Sequence, residues 1–273
     1  MTTLLQVSDP HFGTERPEVV EALHGLARTQ RPDVLVLSGD ITQRARRRQF
    51  AAARAFVERL GAPATVVIPG NHDIPLFNVL VRVFDPYRGY RRAFGRELEP
   101  TFASPALLVL AVNTTRAHRH KDGEVSPEQA ERVASRLRAA DPTQLRVVVV
   151  HQPVMAARPD DEPNLLHGRE YAVRAWVGAG ADLVMGGHIH WPYVSPLRLA
   201  YPGLPREAWI VQAGTAVSAR VRDGVPNSVN VVRASAGEGA RHAVVERWDY
   251  DAAAGTFRPA EHHSLEFPAR RPA

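Results

Sequence analysis

Ala64-Thr65-Val66-Val67-Ile68-Pro69-Gly70-Asn71-His72-Asp73 is a strand that runs straight into a polar loop. Its first five residues are apolar and largely β-branched, and Pro69 and Gly70 stop the run. Three polar side chains follow with no helical spacing between them. Asn71, His72 and Asp73 therefore sit at the C-terminal end of a strand, where open α/β sheets keep their ligands.

The residues before this stretch repeat its logic. Residues 4–7 read as a short buried strand, followed by the loop Ser8-Asp9-Pro10-His11-Phe12-Gly13. Pro17 opens a helix with Val19, Val20, Leu23 and Leu26 at helical spacing. Residues 33–37 form a second strand that ends at Ser38-Gly39-Asp40. A helix over Arg47–Leu60 places Phe50, Ala53, Phe56, Val57 and Leu60 on one face. The pattern is β-α-β-α-β with a polar cluster after each strand, which implies a parallel sheet whose loops converge on one edge.

Residues 74–100 lose this regularity. Phe77, Phe84, Tyr87 and Tyr90 alternate with Arg88, Arg91 and Arg92, which reads as a cap-like insertion over the sheet. It can wall a pocket for a base or an acyl chain, form a homodimer surface, or pack as a plain cap. Strands resume at Thr101–Ala103 and 106–112. Ser126 and Pro127 suit the N-cap and first position of a helix. A strand over 145–150 ends at His151, a helix lies near 170–177, and a strand over 182–185 ends at Gly186-Gly187-His188-Ile189-His190. Beyond these, Trp209–Gln212 and residues 228–234, 241–248 and 256–258 read as antiparallel strands of a second sheet packed on the first. The expectation is one domain over 1–267 and a frayed tail over 268–273.

The chain has 273 residues, ample for a buried core. Its net charge of +5 comes almost wholly from arginine, since Lys121 is the only lysine. This modest excess suits phosphate-bearing substrates. It is not gathered into one tract, so a nucleic-acid polymer is not the expected partner. The absence of cysteine excludes disulfides and thiolate metal sites. The N-terminus enters a strand directly, without the basic and then apolar pattern of a secretion signal, and no apolar run reaches membrane-spanning length. A cytoplasmic location is expected.

Five strand ends carry metal-type ligands: Asp9 with His11, then Asp40, Asn71 with His72, His151, and His188 with His190. Any one of these is more often a loop hydrogen-bonder than a ligand. Five in succession, each after an apolar strand, point to one shared cleft. The i, i+2 pairs Asp9/His11 and His188/His190 place both side chains on one side of an extended segment. Carboxylate, amide and imidazole donors suit Mn, Fe, Co or Zn. Seven such ligands with a shared carboxylate suit two ions roughly 3.5–4 Å apart.

The series Asp9-x-His11, Gly39-Asp40, Gly70-Asn71-His72-Asp73, His151 and Gly187-His188-x-His190 resembles the calcineurin-like metallophosphoesterase superfamily, over a span from Leu4 to His190. The resemblance implies a four-layer α/β/β/α sandwich of two mixed sheets flanked by helices. It implies two divalent or trivalent metal ions, one held by Asp9, His11, Asp40 and His190, the other by Asp40, Asn71, His151 and His188. It also implies attack on phosphorus by a hydroxide held between them. His72 would then stand beside the phosphate as acid or charge stabiliser, with Asp73 orienting it.

The Gly-Asn-His-Asp form is most similar to class III cyclic-nucleotide phosphodiesterases and related bacterial phosphodiesterases. Gln152 stands where those enzymes often carry a second histidine, and Ile74-Pro75 stands where a polar pair is common. The expected activity is hydrolysis of a small phosphodiester, with a 3′,5′-cyclic nucleotide as one candidate. The alternative is a phosphatase or pyrophosphohydrolase acting on a lipid-linked or sugar-nucleotide phosphate. A non-catalytic binding module on the same fold ranks last. Arg44, Asn113, His118 and His120 are the candidate substrate-binding residues; Gly214-Thr215-Ala216 and Arg220 are candidates to approach the metal site from the second sheet, and His167 and Arg169 read as a surface helix start, with a lid as the alternative.

Overall fold

Leu4 and Leu5 are adjacent and fully buried, yet they pack in different cores, because successive side chains of a strand face opposite ways. In the computed structural model, which describes residues 1–236 and 240–268, they lie on β1 (Thr2–Val7). The chain continues through α1 (Pro17–Gln30), β2 (Val34–Ser38), α2 (Arg47–Leu60) and β3 (Ala64–Ile68). Two short helices, α3 (Val79–Phe84) and α4 (Arg88–Phe94), occupy the expected insertion. Next come β4 (Thr101–Ala103), β5 (Leu107–Ala111), α5 (Pro127–Arg138), β6 (Leu145–Val149), α6 (Arg169–Gly178), β7 (Leu183–Gly186), β8 (Tyr193–Pro196) and β9 (Trp209–Gln212). Three long strands close the described chain: β10 (Ser228–Ala236), β11 (Ala240–Asp251) and β12 (Thr256–Pro268).

Two six-stranded mixed sheets result, ordered β12-β11-β10-β1-β2-β3 and β4-β5-β6-β7-β9-β8. Three apolar clusters separate four layers. Leu5, Val7, Leu35 and Leu37 face Val19, Leu23, Phe50 and Phe56 of α1 and α2. Leu4, Val34, Val36 and Ile68 face Val109, Val147, Leu183 and Met185 of the other sheet. Leu108, Leu110, Val148 and Val184 face Val133, Leu137, Val173 and Trp176 of α5 and α6. The expected α/β/β/α sandwich is the observed architecture. Each fully buried Leu or Val contributes about 1.5–3 kcal/mol relative to exposure.

The later strands depart from the sequence reading. β10 pairs antiparallel with β1, so β10 to β12 extend the first sheet. The second sheet is built from β4 to β9, and β9 lies parallel to β7. Strand patterning reports which face of a strand is buried and not which neighbour it pairs with. β12 also runs far past residue 258, since its polar residues 258–264 lie on an edge strand with solvent on one side. Pro268 ends that strand, and the rest of the expected tail, 269–273, lies outside the described residues. β8 has weak strand patterning because it is four half-buried residues at an edge of the second sheet, ending in proline.

The insertion packs on the body through α4, while α3 is tied to it by Arg82, which donates to the Arg119 carbonyl at 2.8 Å. Tyr90 of α4 is buried and its hydroxyl donates to the Val67 carbonyl at 2.6 Å, and Arg54 of α2 donates to the Ala93 carbonyl at 2.6 Å. α3 buries none of its residues.

On α5, Ser126 accepts the Gln129 N–H at 3.2 Å and Gln129 returns the bond to the Ser126 N–H at 3.2 Å. Ser126→Ala should lower unfolding stability in urea by about 1 kcal/mol with no change in metal content; an unchanged midpoint would show that the cap contributes nothing.

Candidate metal centre

The loops after β1, β2, β3, β6 and β7 all end at one place because the two sheets are pinned together beneath it. Gln6 of β1 donates to Ser38 Oγ at 3.2 Å and to the Gly186 carbonyl at 3.0 Å, which links both sheets. His151 Nδ1 lies 2.9 Å from the Ser38 carbonyl, and the His188 N–H donates to Asp9 Oδ2 at 2.9 Å. Close approach demands glycine twice. A Cβ on Gly70 would fall 2.0 Å from the Asp40 nitrogen, and one on Gly39, at φ +98°, would fall 2.4 Å from His151 Nδ1.

Left-handed backbone marks the cluster. Eight non-glycine residues among those described have positive φ, and five of them are Asp9, His11, Asp40, His188 and His190. Each such residue costs roughly 1–3 kcal/mol and persists only where the surroundings over-determine it. Here the strain turns five polar side chains inward from three tight loops.

The seven expected ligands come together. His11 Nε2 is 3.1 Å from His190 Nε2, and His190 Nε2 is 3.4 Å from Asp9 Oδ1. His11 Nε2 is 3.7 Å from Asp40 Oδ2. Asp40 Oδ1 is 3.2 Å from His151 Nε2, which is in turn 3.2 Å from Asn71 Oδ1. Asp40, His151 and His188 form one compact trio, and Asp9, His11 and His190 another. Asp40 lies against both, since it also groups with His11 and His72.

The donor chemistry fits two metal ions. A carbonyl can only accept, so the 2.9 Å contact of His151 Nδ1 with Ser38 and the 2.7 Å contact of His190 Nδ1 with Arg220 place the proton on Nδ1. Both Nε2 atoms then face the cluster, as they do at ligated histidines. His188 Nδ1 is buried without a hydrogen-bond partner, an arrangement that a bound cation would satisfy.

Electrostatics agree with crowded, unbalanced charge. Burial alone would raise Asp9 and Asp40, but their histidine neighbours prevail. Asp9 is lowered to about 2, mainly by His190, and Asp40 is held well below the carboxylate range, mainly by His151. Burial lowers His11 and His188 to about 3. At His151 burial acts the same way, yet the Asp40 carboxylate raises it to about 9.

His72 and Asp73 part company. The His72 N–H donates to Asp40 Oδ1 at 2.8 Å, and its Nδ1 donates to the Gln43 carbonyl at 3.0 Å. Its Nε2 therefore accepts from Arg220 Nη1, 3.3 Å away. Asp73 does not make the expected orienting contact with the His72 ring. It is fully buried, and its carboxylate accepts the N–H groups of Ile41, Thr42 and Gly70 at 2.8–3.0 Å and the Thr42 hydroxyl at 2.9 Å. Burial and then Asp40 push Asp73 up to about 7, against the pull of those three backbone donors.

The cleft above the cluster measures about 520 Å³ and is lined by Asp40, Asn71, His72, His188 and His190, with Lys121, Asn164, Arg220 and Arg222 around them. A larger cavity, about 1010 Å³, lies elsewhere, between α2 and the insertion. Of the expected substrate-binding residues, Arg44 and His120 border a small cavity that also touches Asn71 and His72. His118 is exposed on the same loop but lines neither. Asn113 is turned away: its Oδ1 accepts from Thr115 N at 3.1 Å and Thr115 Oγ1 at 2.7 Å, which makes it a local turn-former. His167 pairs through its backbone with Glu124 and Arg169 begins α6, and neither lines the cleft. Lys121, Asn164 and Arg222 stand at no strand end, and no spacing signalled them.

Residues 2–192 match the calcineurin-like phosphoesterase family. The chain belongs to that family. A probable cyclic nucleotide phosphodiesterase of Synechococcus is 26% identical over 174 residues, which cover 63% of this chain and 64% of that one. A glycerophosphodiester phosphodiesterase of Enterobacter lignolyticus is 35% identical over 83 residues, covering 26% and 29%. The match thus spans less than two thirds of either relative. Among solved structures, a purple acid phosphatase from yellow lupin aligns with a TM-score of 0.70 at 12% identity, over 98% of this chain and 53% of that one. This likeness is one of fold.

Two outcomes follow from the geometry. His151 keeps its proton up to about pH 9 in the metal-free chain, so Mn²⁺ binding near neutral pH should release it. Calorimetric binding enthalpies should then vary with the ionisation enthalpy of the buffer, and buffer-independent values would remove His151 from the ligand set. Asp73→Ala leaves three buried N–H groups without an acceptor, at about 1–3 kcal/mol each. Its melting temperature should fall well below that of wild type, whereas a purely catalytic role would leave it unchanged.

Proposed function

We propose that the chain is a dinuclear-metal phosphodiesterase acting on a small anionic phosphodiester, with 3′,5′-cyclic nucleotides as the first substrate class to test. The observation that supports this most is the convergence of Asp9, His11, Asp40, Asn71, His151, His188 and His190 beneath a cleft ringed by Lys121, Arg220 and Arg222. The name of the Synechococcus relative favours the cyclic-nucleotide substrate.

Asp9, His11, Asp40 and His190 would hold one ion, and Asp40, Asn71, His151 and His188 the other. Bound there, two ions supply Lewis-acid polarisation of phosphate oxygens and a nucleophile at neutral pH. The protein's own residues do the rest. Lys121, Arg220 and Arg222 raise the local concentration of an anion and grip its oxygens. Arg222 is held for this by buried Asp161 and by the Ile189 carbonyl. Arg220 occupies His72 Nε2 in the free protein. An arriving phosphate draws the guanidinium onto its own oxygens and frees Nε2. His72, fixed at Nδ1 by Gln43, then takes a proton from solvent at the freed Nε2 and gives it to the leaving oxygen.

Turnover of bis-p-nitrophenyl phosphate with Mn²⁺ tests this reading, and a chain without turnover would be a binding module. His72→Ala should lower kcat by about 10²–10⁴-fold with metal content unchanged. Loss of bound metal in that variant would make His72 a ligand, as its grouping with His11 and Asp40 allows. Cyclic nucleotides, glycerophosphodiesters, nucleotide sugars and lipid phosphates offered side by side should rank the substrates.

A further inference from the structure

The exposed apolar surface of this protein is concentrated in one place. Nine large hydrophobic residues are exposed among those described, and five fall between 77 and 84: Phe77, Val79, Leu80, Val83 and Phe84, each 65–82% exposed. α3, which carries four of them, buries nothing. Scattered apolar residues need no explanation, but five on two turns of one surface segment do.

The ground beside α3 is cationic. A groove of about 1010 Å³ between α2 and the insertion has an apolar floor that includes Phe50, Leu76 and Val81. Its rim carries Arg44, Arg46, Arg47, Arg54, Arg88 and Arg92, and no Asp or Glu lines it. Arg54 is paired with Glu58, and nearby Arg91 with Asp85. Arg44, Arg46, Arg47, Arg88 and Arg92 enter no ion pair among the described residues, although most other arginines of the chain do. Unpaired guanidinium groups beside protruding apolar side chains match an interface that is anionic at its surface and apolar just below. A second copy of this face would instead set arginine against arginine.

We propose that this face docks on an anionic phospholipid bilayer. The side chains of Leu80, Val83 and Phe84 enter the boundary between headgroups and acyl chains, and the arginines of the groove rim take the headgroup phosphates. The contact is peripheral, since no helix among the described residues is long and apolar enough to cross a membrane. Docking sets the metal cleft beside the lipid surface. Arg44 and Leu76 border both the groove and the small cavity that contains His72 and Asn71, so the two spaces adjoin. The proposal concerns where the protein works and stands apart from which diester it cleaves.

Co-sedimentation of the full chain with extruded vesicles tests it, using phosphatidylcholine alone and phosphatidylcholine mixed with phosphatidylglycerol. Wild type should sediment with the mixed vesicles, less so as salt rises, and stay in solution with the zwitterionic ones. Leu80→Asp/Phe84→Asp should lose this binding by tenfold or more. Arg47→Gln/Arg92→Gln should weaken it by about fivefold for each arginine removed. Both variants should keep wild-type melting temperatures and wild-type turnover of bis-p-nitrophenyl phosphate, which shows that the fold and the cleft are intact. Equal partition of wild type onto both vesicle types, or undiminished binding by either variant, overturns the proposal. So does light scattering that finds a wild-type dimer which Leu80→Asp/Phe84→Asp converts to a monomer, because the patch then belongs to a second copy.

Discussion

One buried carboxylate holds the centre of this molecule in register. Asp73 accepts three backbone N–H groups and a hydroxyl, and those donors come from the loop after β2 and the turn after β3. Without it, two polar loops would need water to satisfy them, and there is no room for water where a Gly70 Cβ would already strike Asp40. With it, the Asp40 carboxylate and the Asn71 amide are presented side by side, and the His72 N–H reaches Asp40. The candidate ligands therefore rest on a hydrogen-bonded platform as well as on strands.

The platform concentrates opposing demands in a small volume. Asp9, His11, Asp40, His151 and His188 are buried or nearly so, and burial penalises every charged form among them. Five ligand positions also sit in left-handed backbone. Natural folds concentrate such strain and frustration at functional sites. Cations at the cluster would neutralise the carboxylates, use the inward-facing imidazole lone pairs and satisfy the orphaned His188 nitrogen. The same charges explain the ring of Lys121, Arg220 and Arg222 on the cleft, which suits an anionic substrate arriving over a site that is itself only partly neutralised.

The insertion serves two masters through two helices. α4 is fixed to β3 and α2 by Tyr90 and Arg54, so it behaves as part of the body. α3 is presented outward with its apolar residues uncovered and an arginine-rimmed groove at its side. The aromatic and arginine composition of residues 74–100 is common to both helices, and only their packing separates a structural half from an exposed one.

Much of this protein was legible along the chain. β-branched runs that end in Gly-Asp, Gly-Asn-His-Asp or Gly-His-Ile-His are local features, and local features survive folding: α2 and β3 occupy the residues their patterns marked, and the seven candidate ligands converge. Continuous apolar runs along β1 and β2 specified strands buried on both faces, and the family resemblance implied the sandwich. Three-dimensional packing alone decided the rest. β10 to β12 joined the first sheet because β1 offered an unpaired edge, which no periodicity encodes. Asp73 became a clamp because donors from the loop after β2 reach it across the fold, whereas Asn113 closes a local turn with Thr115. Lys121, Asn164 and Arg222 reached the cleft from three separate loops, and long-range approach of this kind is set by how the two sheets stack, a property of the whole chain and of no single stretch of it.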